Sequence, residues 1–328
     1  ESKISIGGYV KSSQSGETLI GANVIVKELN VGCTTNNYGF FSFTIDSGTY
    51  NLQTSYIGYN TETINITKSS ENVIFNLVPT SYLTEEVTVK AKKEDANIKN
   101  ADMGKIELEI EQVDQIPVLM GEKDILKTIQ LLPGVQSGSE GSSGFYVRGG
   151  GPDQNLILLD EAVVYNASHL FGFFSVFNSD AINNIDLIKG SMPANYGGRL
   201  SSVLDINMKD GNSKKFGGTG GIGLISSKLT LEGPIKKDTS SFIISGRRTY
   251  FDVLAKPFVD TTAFVGSSYH FYDLTTKANY QLTAKDKIYL SGYFGRDVFN
   301  FNSENWGFRM NMPWGNATAS LRWNHLFN

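Results

Sequence analysis

The last third of this sequence alternates apolar and polar residues in a two-residue period. Residues 272–282 place mainly apolar or aromatic side chains at even positions and Asp, Thr, Lys, Asn and Gln at odd positions. Residues 288–295 and 317–324 repeat the pattern. A strand with this period has one apolar and one polar face, and about ten such residues are enough to cross a bilayer at the usual tilt. The pattern therefore predicts long strands, and a transmembrane barrel is one structure that uses them.

The connections between these strands differ in length, which helps to choose between a barrel and a soluble sandwich. The connection 283–286 is short, whereas 249–268 and 297–313 are long. Outer-membrane barrels combine short periplasmic turns with long extracellular loops, and their aromatic residues gather near strand ends. Aromatic residues lie near several of the predicted strand ends, namely Tyr272, Tyr280, Trp314 and Trp323. Both features favour a barrel.

Strand parity extends this prediction toward the middle of the chain. If 283–286 is periplasmic, the short turn at 234–238 is periplasmic as well, so strand 228–233 descends. An ascending strand at 217–225 must precede it, joined by a tight external turn at Ser226 and Ser227. Residues 216–328 are therefore expected to supply about six strands of an antiparallel barrel. Unpaired edges are not tolerated in hydrocarbon, so we expect the remainder of the barrel as a partner.

Composition and charge argue against several other functions. A net charge of −4 provides no basic field for nucleic acid. The single cysteine, Cys33, and three histidines form no metal-binding or disulfide pattern, and neither H-E-x-x-H nor G-x-S-x-G occurs. We therefore predict no enzyme activity, no catalytic residue, no cofactor and no metal, and we interpret His169 as a packed or loop residue. The sequence has no run of 18 apolar residues, so no membrane-spanning helix is predicted. A signal peptide, if encoded, is expected to have been removed before Glu1.

Residues 1–79 have the pattern of a small β-sandwich. Short alternating runs separated by turn residues occur at 4–11, 22–28, 40–45, 50–56, 61–66 and 73–78. Ordered phrases accompany them: G-E-x-L-I-G-A-N-V from residue 16, T-x-x-x-Y-G-F-F from 34, G-x-Y from 48 and Y-x-G-Y from 56. These phrases resemble carboxypeptidase-regulatory-like domains. The resemblance implies a non-catalytic accessory sandwich.

Residues 80–104 form a charged segment with few aromatic residues, which we interpret as a linker. Its central motif is acidic and then alternating, and consists of Glu85, Glu86, Val87, Thr88, Val89, Lys90 and Ala91. It resembles the TonB box that precedes the plug of TonB-dependent transporters. Such a strand can add to a sheet edge of the periplasmic TonB domain. The alternative is an ordinary strand of the sandwich or of the following domain.

Residues 105–215 mix helical and strand patterns and carry four ordered motifs. An amphipathic helix begins after 121–124 and ends at Pro133 and Gly134. The motifs are R-G-G from residue 148, I-L-L-D-x-x-x-V-Y-N from 157, I-K-G-x-x-P-A-x-Y-G-G-R from 188 and V-L-D-I from 203. Their order resembles the plug domain of TonB-dependent outer-membrane receptors. Glu161 departs from the family, which usually has glycine at this position. The sequence motifs typical of the glycan-importing branch are absent.

The resemblance implies a mainly β chain made of an accessory sandwich at 1–79, a linker at 80–104, an α+β plug at 105–215 and part of a barrel at 216–328. Charged residues set in glycine-rich turns or at strand ends suit a polar contact between plug and barrel. The predicted contact residues are Arg148, Gly149, Gly150, Asp160, Gly190, Gly197, Gly198, Arg199 and Asp205. Without the resemblance, surface arginines and turn aspartates would be the ordinary interpretation.

The function implied is energy-coupled import of a solute across the outer membrane of a Gram-negative bacterium, with the N-terminal domain in the periplasm. The expected partners are TonB with its inner-membrane energising complex, outer-membrane lipid and the solute. The sequence does not select among siderophore, cobalamin, glycan and peptide, and it leaves open whether a surface lipoprotein forms a lid. A surface adhesin or assembly component on the same scaffold is the alternative, against which the ordered plug motifs argue.

Overall fold

The computed structural model describes residues 3–67, 70–80, 104–110, 113, 122–138, 143–169, 172–259, 265–303 and 306–327. The described chain is mainly β, as predicted. It divides into two compact units. The first comprises the described residues within Glu1–Lys92, Asp210–Phe216 and Gly233–Ser241, and the second those within Lys93–Lys209, Gly217–Glu232 and Phe242–Asn328.

The N-terminal part of the first unit is a two-sheet sandwich. Its strands are β1 (Lys3–Ser12), β2 (Asn23–Val26), β3 (Val31–Thr34), β4 (Phe40–Asp46), β5 (Tyr50–Ser55), β6 (Glu62–Ile66) and β7 (Ser70–Leu77). One sheet has the order β4-β1-β7, with β1 antiparallel to β4 and parallel to β7. The other has the order β3-β2-β5-β6 and is antiparallel.

Alternation fills the core between these two sheets. Leu52 and Thr54 of β5 are fully buried, whereas Asn51, which precedes them in the strand, is exposed. Val24 and Phe75 are also completely buried, and each such apolar side chain stabilises the unit by about 1.5–3 kcal/mol. Six of the strands agree with the predicted runs to within a few residues. Strand β3 was missed because its Val-Gly-Cys-Thr sequence has no apolar alternation.

Segment 210–216 joins the first unit through the loop at 12–17. The Glu17 carboxylate accepts a hydrogen bond from the Asp210 amide at 2.8 Å, and the Ser213 amide donates to the Ser15 carbonyl at 2.9 Å. Lys214 Nζ donates to the Ser13 carbonyl. Gly16 makes this approach possible, because a Cβ there would lie 2.2 Å from Ser213 Oγ and its φ is +75°.

The second unit contains a mixed five-stranded sheet of order β12-β11-β16-β15-β8. Strands β11 and β16 are parallel, and the other neighbours are antiparallel. Its elements are β8 (Lys105–Glu109), helix α1 (Ile125–Gln130), β9 (Val135–Ser137), β10 (Phe145–Val147), β11 (Asn155–Leu159), β12 (Ala162–Val163), β13 (Ser168–His169), β14 (Phe174–Ser175), β15 (Ile182–Lys189) and β16 (Ser202–Met208). Short 3₁₀ turns precede β11 and β15.

One face of the five-stranded sheet packs against α1. Ile185, Leu204 and Ile206 from the sheet and Ile125 and Ile129 from the helix have no exposed surface. Asp124 caps the helix by accepting a hydrogen bond from the Lys127 amide at 3.1 Å. The predicted helix is therefore present, and its apolar stripe is buried as expected.

The second sheet of this part of the chain is antiparallel, with six strands in sequence order. These strands are β17 (Gly217–Ile222), β18 (Ser226–Lys236), β19 (Ser240–Thr249), β20 (Ser268–Gln281), β21 (Asp286–Ser303) and β22 (Phe308–His325). Helix α2 (Phe251–Val259) lies in the connection between β19 and β20. No helix among the described residues is both long and apolar enough to cross a membrane.

The six-stranded sheet buries its polar face and exposes its apolar face. In β20 the side chains of Asp273, Thr275, Lys277 and Asn279 are at most 5% exposed, while Leu274 is 44% exposed. Other apolar side chains on this sheet are similarly exposed, namely Leu229, Leu231, Leu290, Phe294, Leu321 and Trp323. This is the reverse of a sheet on the surface of a soluble protein.

The structure corrects three predicted boundaries of this sheet. Residues 297–313 do not form a long loop, because β21 continues to Ser303 and pairs with β22 from Phe308 onward. Pro313 fits inside β22 because that strand is at the edge of the described sheet. The turn after β17 is at 223–225 rather than at Ser226 and Ser227, and Pro234 lies within β18. The short connection at 283–286 is as predicted.

We predict that Gly16→Ala destabilises the first unit by about 1–2 kcal/mol, because alanine at positive φ is strained and its Cβ would displace Ser213. Hydrogen exchange at the Ser213 amide and urea unfolding measure the effect. Gly7→Ala is the control, since a Cβ at Gly7 has its nearest neighbour at 3.4 Å. Equal effects of the two variants would contradict the role of Gly16.

Candidate functional site

The candidate site is the contact between the five-stranded sheet, with its loops, and the buried polar face of the six-stranded sheet. All the side chains that form this contact belong to the second unit. Two groups of charged side chains connect them. The Asp160 cluster consists of Asp160, Glu161, Lys277 and Arg322, and the His169 cluster consists of Glu122, His169, Arg247, Asp273 and Asp297.

Asp160 is the centre of the first cluster and has no exposed surface. It lies with Glu161 in the two-residue turn between β11 and β12, and both residues have positive φ, at +47° and +69°. Such a turn matches the twist of a hairpin but ordinarily uses Asn or Gly. Glu161 therefore adopts the positive-φ conformation that suits the glycine usual in the family at this position. The replacement of glycine by glutamate changes the side chain but not the type of turn.

The turn presents the Asp160 carboxylate to two cations on the six-stranded sheet. Lys277 Nζ of β20 lies 3.1 Å from Asp160 Oδ2, and Arg322 Nη2 of β22 lies 2.9 Å from the same oxygen. The other oxygen accepts a hydrogen bond from the Met208 amide at 2.9 Å. Lys277 and Arg322 are also packed over the Tyr289 ring. A buried carboxylate with two cations and a backbone donor is well compensated.

Arg247 of β19 organises the second cluster. Its Nε and Nη2 atoms lie 2.9 and 2.6 Å from Asp273 Oδ2 on β20, and Nη2 also donates to the Ser175 carbonyl at 2.9 Å. Nη1 lies 3.3 Å from Glu122 Oε2, just before α1. The guanidinium is only 5% exposed. Arg247 therefore connects β14 and the start of α1 to the wall formed by β19 and β20.

His169 reaches the same cluster from β13. Its Nδ1 lies 2.6 Å from Asp297 Oδ2 on β21, and its Nε2 lies 3.3 Å from Asp273 Oδ2. The ring is stacked on Phe271 with centroids 4.0 Å apart. Burial lowers the pKa of His169, but the two aspartates outweigh burial and hold the pKa above its usual value. His169 is packed, as predicted, but it is also a charged contact that the sequence did not reveal.

Arg148 and Arg199 lie in glycine-rich turns and contact residues of their own domain. The Arg148 guanidinium lies against Gly190, where a Cβ would approach Nη1 to 2.8 Å. Arg199 Nη1 donates to the Gly198 carbonyl at 2.8 Å. Within the described residues neither arginine forms an ion pair or hydrogen bond with the six-stranded sheet, so their contact with a barrel wall stays a prediction.

The remaining predicted contact residues surround these turns. Gly149, Gly190 and Gly198 have positive φ, which explains glycine at these positions. A Cβ at Gly150 would lie 2.4 Å from Ser201 Oγ, whereas Gly197 has open space around it. These glycines shape the turns at the ends of the five-stranded sheet. The candidate TonB box, residues 85–91, lies outside the described residues.

Asp205 lies inside the five-stranded sheet domain rather than at the contact. It pairs with Asp186 across β15 and β16, and the Tyr196 hydroxyl donates to its Oδ2 at 2.8 Å. Burial raises the pKa of both carboxyl groups, that of Asp186 to about 7, although Lys105 Nζ lies 3.0 Å from Asp186 Oδ2 and partly offsets the rise. Asp205 therefore contributes to an acidic row on one face of this sheet.

The two clusters join the two sheets of the second unit through charged contacts. The described residues contain no cluster of three His, Cys, Asp or Glu side chains that could hold a metal. Sequence analysis missed Glu122, Arg247, Asp273, Asp297, Lys277 and Arg322 as contacts. The available signal was a charged residue within the polar row of a predicted barrel strand, which Asp273, Lys277 and Arg322 all satisfy.

Two family models match the chain. Residues 6–89 match the CarboxypepD_reg-like domain, and residues 109–202 match the TonB-dependent Receptor Plug Domain. Both resemblances found in the sequence are thereby confirmed. No curated protein matches the chain.

Several solved structures resemble the chain. The siderophore receptor PirA from Acinetobacter baumannii is 19% identical, with 61% of this chain and 32% of that chain covered and a TM-score of 0.44. A mutant of the ferric enterobactin receptor PfeA from Pseudomonas aeruginosa is 19% identical, with 74% and 40% covered and a TM-score of 0.48. The outer membrane transporter YddB from Escherichia coli is 15% identical, with 68% and 37% covered and a TM-score of 0.47. The chain therefore spans about a third to two-fifths of the length of these proteins.

We predict that Glu161→Gly stabilises the turn by about 1 kcal/mol, because glycine removes the strain of a side chain at positive φ. The half-exposed ion pair with Arg322, at 3.5 Å, offsets only a few tenths of this gain. Urea unfolding and hydrogen exchange at the Met208 amide measure the change. Glu161→Ala is the control, since it removes the ion pair and keeps the strain. Equal stability of the two variants would show that the backbone is unstrained.

Proposed function

We propose that this chain, which contains a carboxypeptidase regulatory-like domain and a TonB-dependent receptor plug domain, forms part of an outer-membrane receptor that imports a solute with energy from TonB. The plug-family residues 109–202 and the six-stranded sheet would then be the plug and the first strands of the barrel. The cargo, the partners and the import activity all belong to this proposal.

The observation that carries the proposal is the inverted six-stranded sheet together with what covers it. The exposed face is apolar, as a lipid-facing wall requires, and the buried face is polar, as the lumen of a barrel is. The residues that cover this polar face belong to the region matched by the plug family, including Asp160 and His169. A soluble β-sandwich would bury its apolar face instead.

The ionic contact suits a plug that is held firmly and then moved. Breaking a buried ion pair by removing one partner costs about 3–5 kcal/mol, because a charge is left without compensation. When the plug moves and water enters, the same charged groups are rehydrated, whereas an apolar contact would expose hydrocarbon to water. Asp160, Arg247 and His169 would therefore hold the plug at rest and still allow it to be displaced.

Coupling to TonB would use residues 85–91. An extended segment that adds to the sheet edge of a partner binds mainly through its backbone, which fits a short motif with few demanding side chains. In this proposal the segment, and with it the N-terminal sandwich, would lie in the periplasm. The CarboxypepD_reg-like match ends at residue 89 and overlaps Glu85 to Val89, so the alternative that this segment is a strand of the sandwich must be tested directly.

We predict that deletion of residues 85–91 in the full-length parent abolishes binding of the purified periplasmic TonB domain and lowers energised uptake of the solute that co-purifies with it. Val87→Pro should weaken TonB binding at least tenfold, because proline removes a backbone donor from the added strand. Isothermal titration calorimetry measures binding, and accumulation in cells with and without TonB measures uptake.

Ala96→Pro is the matched control, since it introduces proline in the same linker outside the motif and should leave binding unchanged. TonB binding by Val87→Pro equal to that of the wild type would overturn the assignment of the box. Uptake that is independent of TonB would overturn the proposed energy coupling, and absence of uptake would overturn import and favour a scaffold role at the cell surface.

A further inference from the structure

His169 occupies a position where its charge state affects how the two parts of the second unit fit together. It lies in the short hairpin of β13 and β14 and is 1% exposed. Its ring is parallel to that of Phe271 on β20, with an angle of 5° between the planes. The stacking fixes the orientation of the ring, so each nitrogen faces one carboxylate.

The two carboxylates come from neighbouring strands of the opposite sheet. Asp297 Oδ2 lies 2.6 Å from Nδ1, and its other oxygen accepts a hydrogen bond from the Tyr269 hydroxyl. Asp273 Oδ2 lies 3.3 Å from Nε2, where the contact is Coulombic because this nitrogen has no aligned acceptor within the described residues. A neutral imidazole donates from one nitrogen only, whereas the imidazolium offers a proton to both sides.

The surrounding charges favour the imidazolium. Two cations, His169 and Arg247, face three anions, Glu122, Asp273 and Asp297, in a region that excludes solvent. Without the proton on His169, one cation would remain for three anions. Four further titratable groups lie close to the cluster: Tyr269 of β20, Tyr293 of β21, and Asp124 and Lys127, which reach β14 from α1.

We propose that the His169 cluster is a proton-binding site, and that a proton held between Asp273 and Asp297 fastens the β13–β14 hairpin to strands β20 and β21. Displacement of the hairpin exposes the imidazole to water and releases this proton. Seating of the hairpin and proton uptake are therefore linked, independently of any transported solute.

The direction of the pH effect follows from this linkage. The pKa of seated His169 is raised above that of the released residue, about 6.5. The stabilisation of the seated hairpin is therefore complete at pH values below the pKa of the released histidine. It is lost as pH rises through the pKa of the seated histidine. The Asp160 cluster contains no histidine, so it adds no histidine titration to this pH dependence.

The test is hydrogen exchange of the Ser175 and Val176 amides in the full-length parent protein in detergent, corrected for intrinsic exchange, at pH values from 6 to 9. Both amides are hydrogen-bonded when the hairpin is seated, to Asp124 and Ala167. Wild-type protection should fall as pH rises, by up to tenfold per unit for one linked proton. His169→Gln should lower protection at pH 6 and remove the dependence on pH.

Asp297→Asn should move the fall in protection to lower pH, and His169→Lys, which keeps a cation, should retain protection at high pH. His325→Gln is the matched control, because His325 also contacts an aspartate, Asp286 at 2.7 Å, but lies at the other end of the sheet. It should keep the wild-type dependence. Wild-type protection that does not change with pH, or a midpoint that is unaffected in Asp297→Asn, would overturn the proposal. Neither readout uses TonB or uptake, so a failure here is distinct from failure of the import function.

Discussion

The buried polar face of the six-stranded sheet is the constraint on which the second unit depends. Charged groups that leave water must be compensated, and Asp273 of the sheet itself pairs with Arg247. The residues that cover this face complete the compensation, because Glu122 also pairs with Arg247 and Asp160 pairs with both Lys277 and Arg322. The sheet and the domain against it are therefore complementary in charge, and their contact is specific because each misplaced residue would leave a buried charge unpaired.

The two clusters fix the covering domain at separate points and differ in chemistry. The Asp160 cluster attaches the β11–β12 turn to β20 and β22 through a carboxyl, an amino and a guanidino group. The His169 cluster attaches the β13–β14 hairpin and the start of α1 to β19, β20 and β21, and it contains an imidazole whose pKa the neighbouring aspartates hold above its usual value. The two contacts therefore join the same two sheets through different ionisable groups.

The sequence allowed most of the architecture to be predicted, because its signals are local. Alternation identified the long strands and the sandwich, and the ordered glycine and aspartate motifs identified the plug-type domain. The boundaries of β21 and β22 were missed, since residues 297–313 contain Pro313 and lack clean alternation, and only pairing between the two strands extends them. His169 was interpreted as an isolated residue because its partners Asp273 and Asp297 are more than a hundred positions away.

The sequence by itself determined which faces of the strands are polar and which families the first two domains resemble, because period and motif spacing act over a few residues. Only the tertiary structure decided which charges meet. Asp160 reaches Lys277 and Arg322, whereas Arg148 and Arg199 turn toward Gly190 and Gly198 in their own domain. The physical reason is that an ion pair depends on distance in space, and residues separated by more than a hundred positions carry no local pattern that pairs them.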